Sequence, residues 1–190
     1  MSSKIVTVNL SSSSKQNNKE YNDPGTGTEI IQPGQPKKRV VTTKSSWMFS
    51  PDDLSANRQF AYIEQIHANA ITDNNACKLI SQHINQKING YKAQDIKKKL
   101  YDPTNTVDMD YVVNLLYTSH HVCFYCKESV QVLYENVREP KQWTLERIYN
   151  NIGHNKNNVE IACLQCNLGR KTMYHERYAF TKQLVIVKQH

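Results

Sequence analysis

Polar residues dominate the start of the chain, and an apolar rhythm sets in only after it. Residues 11–18 are all polar, and Pro24-Gly25-Thr26-Gly27 and Pro33-Gly34-Gln35-Pro36 interrupt any regular element, so 1–46 reads as a disordered basic tail. It closes on Lys37-Lys38-Arg39 and Lys44, cations that suit a DNA-touching arm, an import signal or a plain solvated tail. From 47 to 118 the spacing is helical. Ser50-Pro51-Asp52-Asp53 reads as a helix start, with a capping serine, proline in the first turn and acids near the positive end of the dipole. Leu54, Phe60, Ile63 and Ile66 then share a face. A second helix is predicted over 73–89, with Ala76, Leu79, Ile80, His83, Ile84 and Ile88 as its buried stripe and Gly90 as its end. A short third helix over 94–100 carries Lys97-Lys98-Lys99, and a fourth over 108–117 carries Val112, Val113, Leu115 and Leu116. His67 and His83 fall inside these patterns and read as packing residues, and Cys77 reads as a small core residue.

From 119 to 190 the pattern changes to short strands and turns. Strands are predicted over 130–134, 143–148 and 159–164, a helix over 167–180 and a terminal strand over 184–187; Asn150-Asn151-Ile152-Gly153 is turn chemistry. The expected class is therefore α+β, with a tail (1–46), a helical region (47–118) and a small mixed domain (119–190).

Composition narrows the partners. Only 38% of the 190 residues are hydrophobic and the mean hydropathy is −0.68, so the core is modest, a situation in which small domains often recruit a metal. A net charge of +7 and a pI of about 9.1 favour a polyanion such as nucleic acid, against the bland alternative of a basic surface without a ligand. No apolar run approaches the roughly 20 residues of a membrane span. Met1-Ser2-Ser3-Lys4-Ile5-Val6 lacks the apolar core of a secretory signal, so the chain is expected to be soluble and intracellular, away from the membrane.

The strongest chemical signal is the cysteine frame. Cys123-Phe-Tyr-Cys126 and Cys163-Leu-Gln-Cys166 are two Cys-x-x-Cys knuckles separated by thirty-six residues. Two such knuckles complete a four-sulfur tetrahedron with no open position, which suits a structural Zn²⁺ and not a catalytic one. Between and after them stand Trp143-Thr144-Leu145-Glu146-Arg147-Ile148, Gly153-His154, Asn158-Val159 and Asn167 directly behind the last cysteine. This combination, over 120 to about 180, resembles the HNH endonucleases in the zinc-ribbon form common in phages and large DNA viruses.

The resemblance implies a zinc-stapled ββα-metal finger that binds one divalent ion and hydrolyses phosphodiester bonds, most directly those of DNA. By position, Glu146 takes the place of the acidic metal ligand, Asn167 that of the second ligand on the helix, and Asn158 that of the middle asparagine that buttresses the loop and orients the base. A carboxylate and an amide oxygen are hard ligands that suit Mg²⁺ or Mn²⁺. Arg147 is the departure: it stands where catalytic members carry the water-activating histidine, and a guanidinium that stays protonated cannot be a base, though it can clamp phosphate. His154 is the leading substitute base, with a loop-packing histidine as its competing role. His175, eight residues beyond Asn167, is either a surface residue or a second imidazole near the site; His120 and His121 could touch DNA. Arg170 and Lys171, with Arg177 and Lys182 beyond, are candidate phosphate contacts or a solvated helix face. Trp143 and Tyr149 read as packing residues. The enzyme reading competes with a catalytically impaired, zinc-finger-like nucleic-acid-binding module, and with a zinc ribbon that binds protein.

Overall fold

Helices begin where side chains close on backbone N–H groups. In the computed structural model, which describes residues 36–44, 47–70 and 74–184, α1 (Ala56–His67) is capped by Ser55, whose side chain accepts from the Arg58 N–H. The predicted start at Ser50 is instead a separate turn. Its N–H and hydroxyl both donate to the Asp53 carboxylate, at 2.8 and 2.9 Å, a local ring that satisfies those groups without a helix. α2 (Asn75–Lys98) is capped by Asn74, and α3 (Met109–Thr118) by Asp108, whose side chain accepts from the Tyr111 N–H at 2.9 Å.

α2 corrects the expectation of two short helices broken at Gly90. It runs 24 residues without interruption and ends only where Lys99 turns left-handed at φ 58°. A glycine inside a helix costs about 1 kcal/mol relative to alanine. Continuation more than offsets that cost, because the last two turns pack Tyr91 against the core and bury Asp95. The other break points differ as well. The predicted strand over 130–134 is reduced to an isolated bridge between Gln131 and Gln142: beyond it, the Val132 and Leu133 N–H groups donate to the buried Gln59 Oε1, at 2.8 and 2.9 Å, so a side chain on α1 takes the place of a neighbouring strand. The predicted helix over 167–180 is two, α4 (Leu164–Arg170) and α5 (His175–Gln183), parted where Lys171 takes φ 52°.

Two strands match their expected positions closely. β1 (Trp143–Arg147) pairs antiparallel with β2 (Val159–Cys163), with Glu146 opposite Glu160 and Trp143 opposite Cys163. One apolar core links Ile63, Ile80, Ile84, Val112 and Leu116 of the helices to Leu133, Trp143, Leu145 and Ile161 around the sheet. The described architecture is thus mixed helix and strand, as the α+β expectation has it.

The basic segment at the end of the expected tail is partly anchored. Residues Val40–Thr43 form a 3-10 turn, the Arg39 N–H donates to the Glu135 carbonyl at 2.8 Å, and the Arg39 guanidinium lies 4.2 Å from the Tyr134 ring centre. The rest of that tail, 1–35 and 45–46, and most of the predicted terminal strand, 185–187, lie outside the described residues. Among the described residues, no helix is long and apolar enough to cross a membrane.

Candidate metal centre and adjoining cavity

The first knuckle forms as α3 ends. His120 and His121 both take left-handed φ, 49° and 42°, and turn the chain into Cys123; Lys127, at φ 60°, closes the knuckle so that its N–H reaches the Cys123 carbonyl at 3.0 Å. The Phe124 N–H donates to the Ile161 carbonyl at 2.8 Å, which docks this knuckle on β2. The second knuckle is the β2–α4 junction itself, where Cys163 caps the helix and its sulfur accepts from the Cys166 N–H. The result brings the ligand atoms of Cys123, Cys126, Cys163 and Cys166 within 4.8 Å of one another.

That spacing fits a metal. A tetrahedral ion with Zn–S bonds of about 2.3 Å implies sulfur pairs roughly 3.8 Å apart, and the Cys126 and Cys163 sulfurs are 3.9 Å apart. The thiols also share protons unevenly: hydrogen bonding from Cys163 draws the Cys123 thiol down, while that same bond pushes Cys163 up and burial pushes Cys166 up. Four thiolates in so small a space need a cation between them. The four cysteines could therefore hold an ion such as zinc, with no position left for substrate.

Beside this centre lies a cavity of about 320 Å³, and its lining contains Glu146 and Arg147 of β1, His154 of the connecting loop, and Asn167 and Lys171 from α4 and its end. Glu146 is buried, and its Oε1 is paired with Arg170 Nη1. Burial raises the Glu146 pKa against the opposing pull of that guanidinium. Asn167 donates from Nδ2 to the Thr144 hydroxyl at 3.2 Å, which fastens α4 to β1 and leaves the amide oxygen without that duty. Asn158 does not line the cavity. It is buried behind the loop, where Oδ1 accepts from the Tyr149 N–H at 3.0 Å and Nδ2 donates to the Gly153 carbonyl at 2.9 Å. Arg147 closes the same turn through the Asn150 carbonyl at 3.0 Å.

Arg170 departs from the expected surface phosphate contact. It is 2% exposed, and besides Glu146 its guanidinium donates to the carbonyls of Arg147, Ile148 and Met173. As the last residue of α4, it turns its side chain inward to Glu146 and the carbonyls at the end of β1. Lys171 alone of the pair reaches the cavity. Three other histidines pack: His175 is buried and stacked on Phe124 (centroids 4.5 Å), His121 on Phe60 (5.5 Å), and His67 on Tyr117 (4.1 Å).

Three residues of the cavity escaped the sequence pattern: Tyr91, Gln94 and Lys98 of α2, which recur at helical spacing on one face. Asp95 of the same helix, buried and not part of the lining, receives His154. Its Oδ2 accepts the His154 backbone N–H at 2.6 Å, and both carboxylate oxygens are 3.0 Å from Nδ1. The Tyr91 ring stacks on the imidazole at 4.4 Å between centroids. Burial lowers the His154 pKa, with Asp95 opposing. The only signal in the sequence was the spacing itself, and the assumed break at Gly90 hid it.

Gly153 makes this approach possible. A Cβ there would lie 2.5 Å from the Leu100 carbonyl oxygen and 3.0 Å from Asp95 Oδ2, one of them backbone and the other held in a buried hydrogen bond. Gly153→Ala is expected to cost about 1–3 kcal/mol, measured by urea unfolding at fixed zinc; a loss below about 0.5 kcal/mol, the range of an inconsequential surface change, would contradict this packing.

No protein-family model, curated protein or solved structure matches the chain.

Proposed function

We propose that this chain is a metal-dependent HNH-type endonuclease that hydrolyses phosphodiester bonds of nucleic acid, with DNA as its first expected substrate. The observation that carries the reading is the convergence of Glu146, Asn167 and His154 on one cavity beside the four-cysteine centre. The unpaired carboxylate oxygen of Glu146 and the amide oxygen of Asn167 would hold Mg²⁺ or Mn²⁺, with water and phosphate completing the shell. When bound, such an ion supplies charge stabilisation for the phosphate and the departing oxygen.

The chain's own residues do the rest. Lys98, Lys171 and Arg147 give the cavity three cations against one carboxylate that is already paired, a field suited to a phosphodiester. His154 accepts a proton from the attacking water as the new O–P bond forms. The scissile P–O bond breaks with its electron pair on the leaving oxygen, which then takes a proton from solvent. Asn158 and Arg147 keep the loop bearing His154 in register with β1.

The test is plasmid cleavage in Mg²⁺ or Mn²⁺. Asn167→Ala and Glu146→Ala are each expected to reduce the rate about 100-fold or more, since each removes a ligand that positions charge at the reacting phosphate. Wild-type rates in both variants would sink the assignment. One observation favours a second reading, a nucleic-acid-binding module without turnover: the Arg170 guanidinium already neutralises Glu146. That reading expects salt-sensitive binding and no cleavage, with Lys98→Ala and Lys171→Ala each lowering the salt slope by about one.

A further inference from the structure

We propose that Asp95, on a helix outside the stretch that resembles the nucleases, is the positioning residue that holds His154 as the general base. The inference rests on the nuclease reading above and adds to it an element of the site. Asp95 is 1% exposed and 59 residues away from His154 in sequence, and it binds that residue twice, through the backbone N–H and through the ring. The backbone contact places the loop. The ring contact does more, because an ionised carboxylate only accepts hydrogen bonds. Facing it, Nδ1 must carry the proton, and the lone pair of the neutral imidazole falls on Nε2, the nitrogen that Asp95 does not engage.

Asp95 and Tyr91 together fix the ring plane. Tyr91 stacks on it at an interplanar angle of 28°, and the Tyr91 hydroxyl accepts from the Leu145 N–H at 3.0 Å, tying the stack to the strand residue next to Glu146. Rotation of the imidazole away from the cavity would break both contacts. The charged groups facing the ring are Asp95 and Lys98 from α2 and Arg147 from β1. Arg147 and Lys98 oppose protonation in the resting state, whereas Asp95 stabilises the imidazolium that forms when water gives up its proton. A tie between α2 and the loop needs only the backbone contact, and it gives no reason for a ring that lines the cavity with its tautomer locked.

Asp95→Asn separates the two roles. The amide oxygen can still accept the His154 N–H, but only one oxygen remains and the NH₂ group opposes the Nδ1 proton. On the full-length, zinc-loaded protein, we expect cleavage to fall about 10²–10⁴-fold, with little change in DNA affinity or Tm. His154→Ala should reach the same floor, and the double variant should go no lower. In ¹⁵N-histidine spectra at pH 7.5 the wild-type His154 should carry its proton on Nδ1, and Asp95→Asn should shift it towards Nε2.

An Nε2-protonated wild-type ring, or Asp95→Asn cleaving within about threefold of wild type, overturns the proposal. If Asp95→Asn fails to fold, His154→Gly assayed with added imidazole decides: restored cleavage supports a base at this position, and none overturns it. Wild type that cleaves nothing with either ion overturns the nuclease reading, and this inference falls with it. Wild type that cleaves while Asp95→Asn is unaffected overturns this inference alone.

Discussion

Stripping the metal from the four-cysteine centre is expected to unfold the region around it. Zinc binding to a site of this kind contributes on the order of 10–16 kcal/mol in isolated fingers at neutral pH, whereas a whole domain is held by only about 5–15 kcal/mol. Cys123, Cys163 and Cys166 are inside the core and not appended to it, so loss of the ion leaves polar thiol groups without their common partner next to Tyr125 and Trp143. Incubation with a zinc chelator, or the Cys166→Ser substitution, should abolish near-ultraviolet circular dichroism and lower Tm by more than about 15 °C. Helical signal from α1–α3 should persist in part, because Ile63, Ile80 and Leu116 pack without the sulfurs. Elemental analysis should find one zinc per chain. A metal-free protein with an unchanged Tm would remove the centre from any role in stability.

Arg170→Ala should be the most damaging single change away from the cysteines. The side chain is 2% exposed and its partner Glu146 6% exposed, so the variant leaves a buried carboxylate without a counter-ion. Breaking a buried pair from one side costs about 3–5 kcal/mol. The carbonyls of Ile148 and Met173, which accept from this guanidinium at 2.9 Å, also lose a donor. Chemical denaturation of the zinc-loaded variant measures the loss. Glu146→Gln in the same background should recover part of it, because a neutral amide needs no counter-charge. Addition of Mg²⁺ should raise the Tm of Arg170→Ala more than that of wild type, since a cation at Glu146 then replaces the missing charge. A loss under about 1 kcal/mol would mean that the pair is solvated in solution. A Tm that ignores Mg²⁺ would count against Glu146 as a ligand.

Arg170 also shows where a linear pattern misleads. Arg170-Lys171 looks like one basic patch on a helix surface, yet α4 ends at Arg170 and Lys171 already turns left-handed at φ 52°, which sends the two side chains apart. Here one enters the interior and the other lines the cavity. The same limit applies at Gly90, where a residue of poor intrinsic propensity sits inside a helix held by tertiary burial on either side. The segment 130–134 has strand-like composition, but the N–H groups of Val132 and Leu133 are claimed by Gln59 from a distant helix.

By itself the sequence determined the four-cysteine frame, the β1–β2 strand positions and the turn between them, along with the placement of Glu146, Asn158 and Asn167, whereas it starts the following helix at 167, three residues later than α4 begins. The features it determined depend on short spacings: two residues between thiolates, alternation along a strand. Only the tertiary structure decided which basic residues face inward, that α2 runs unbroken, and that Asp95 meets His154. Those outcomes depend on contacts between residues tens of positions apart, whose burial outweighs local preference. The site is thus legible as a four-cysteine frame beside a pair of strands and a helix, while the carboxylate that meets its imidazole comes from a helix that the local pattern cuts in two.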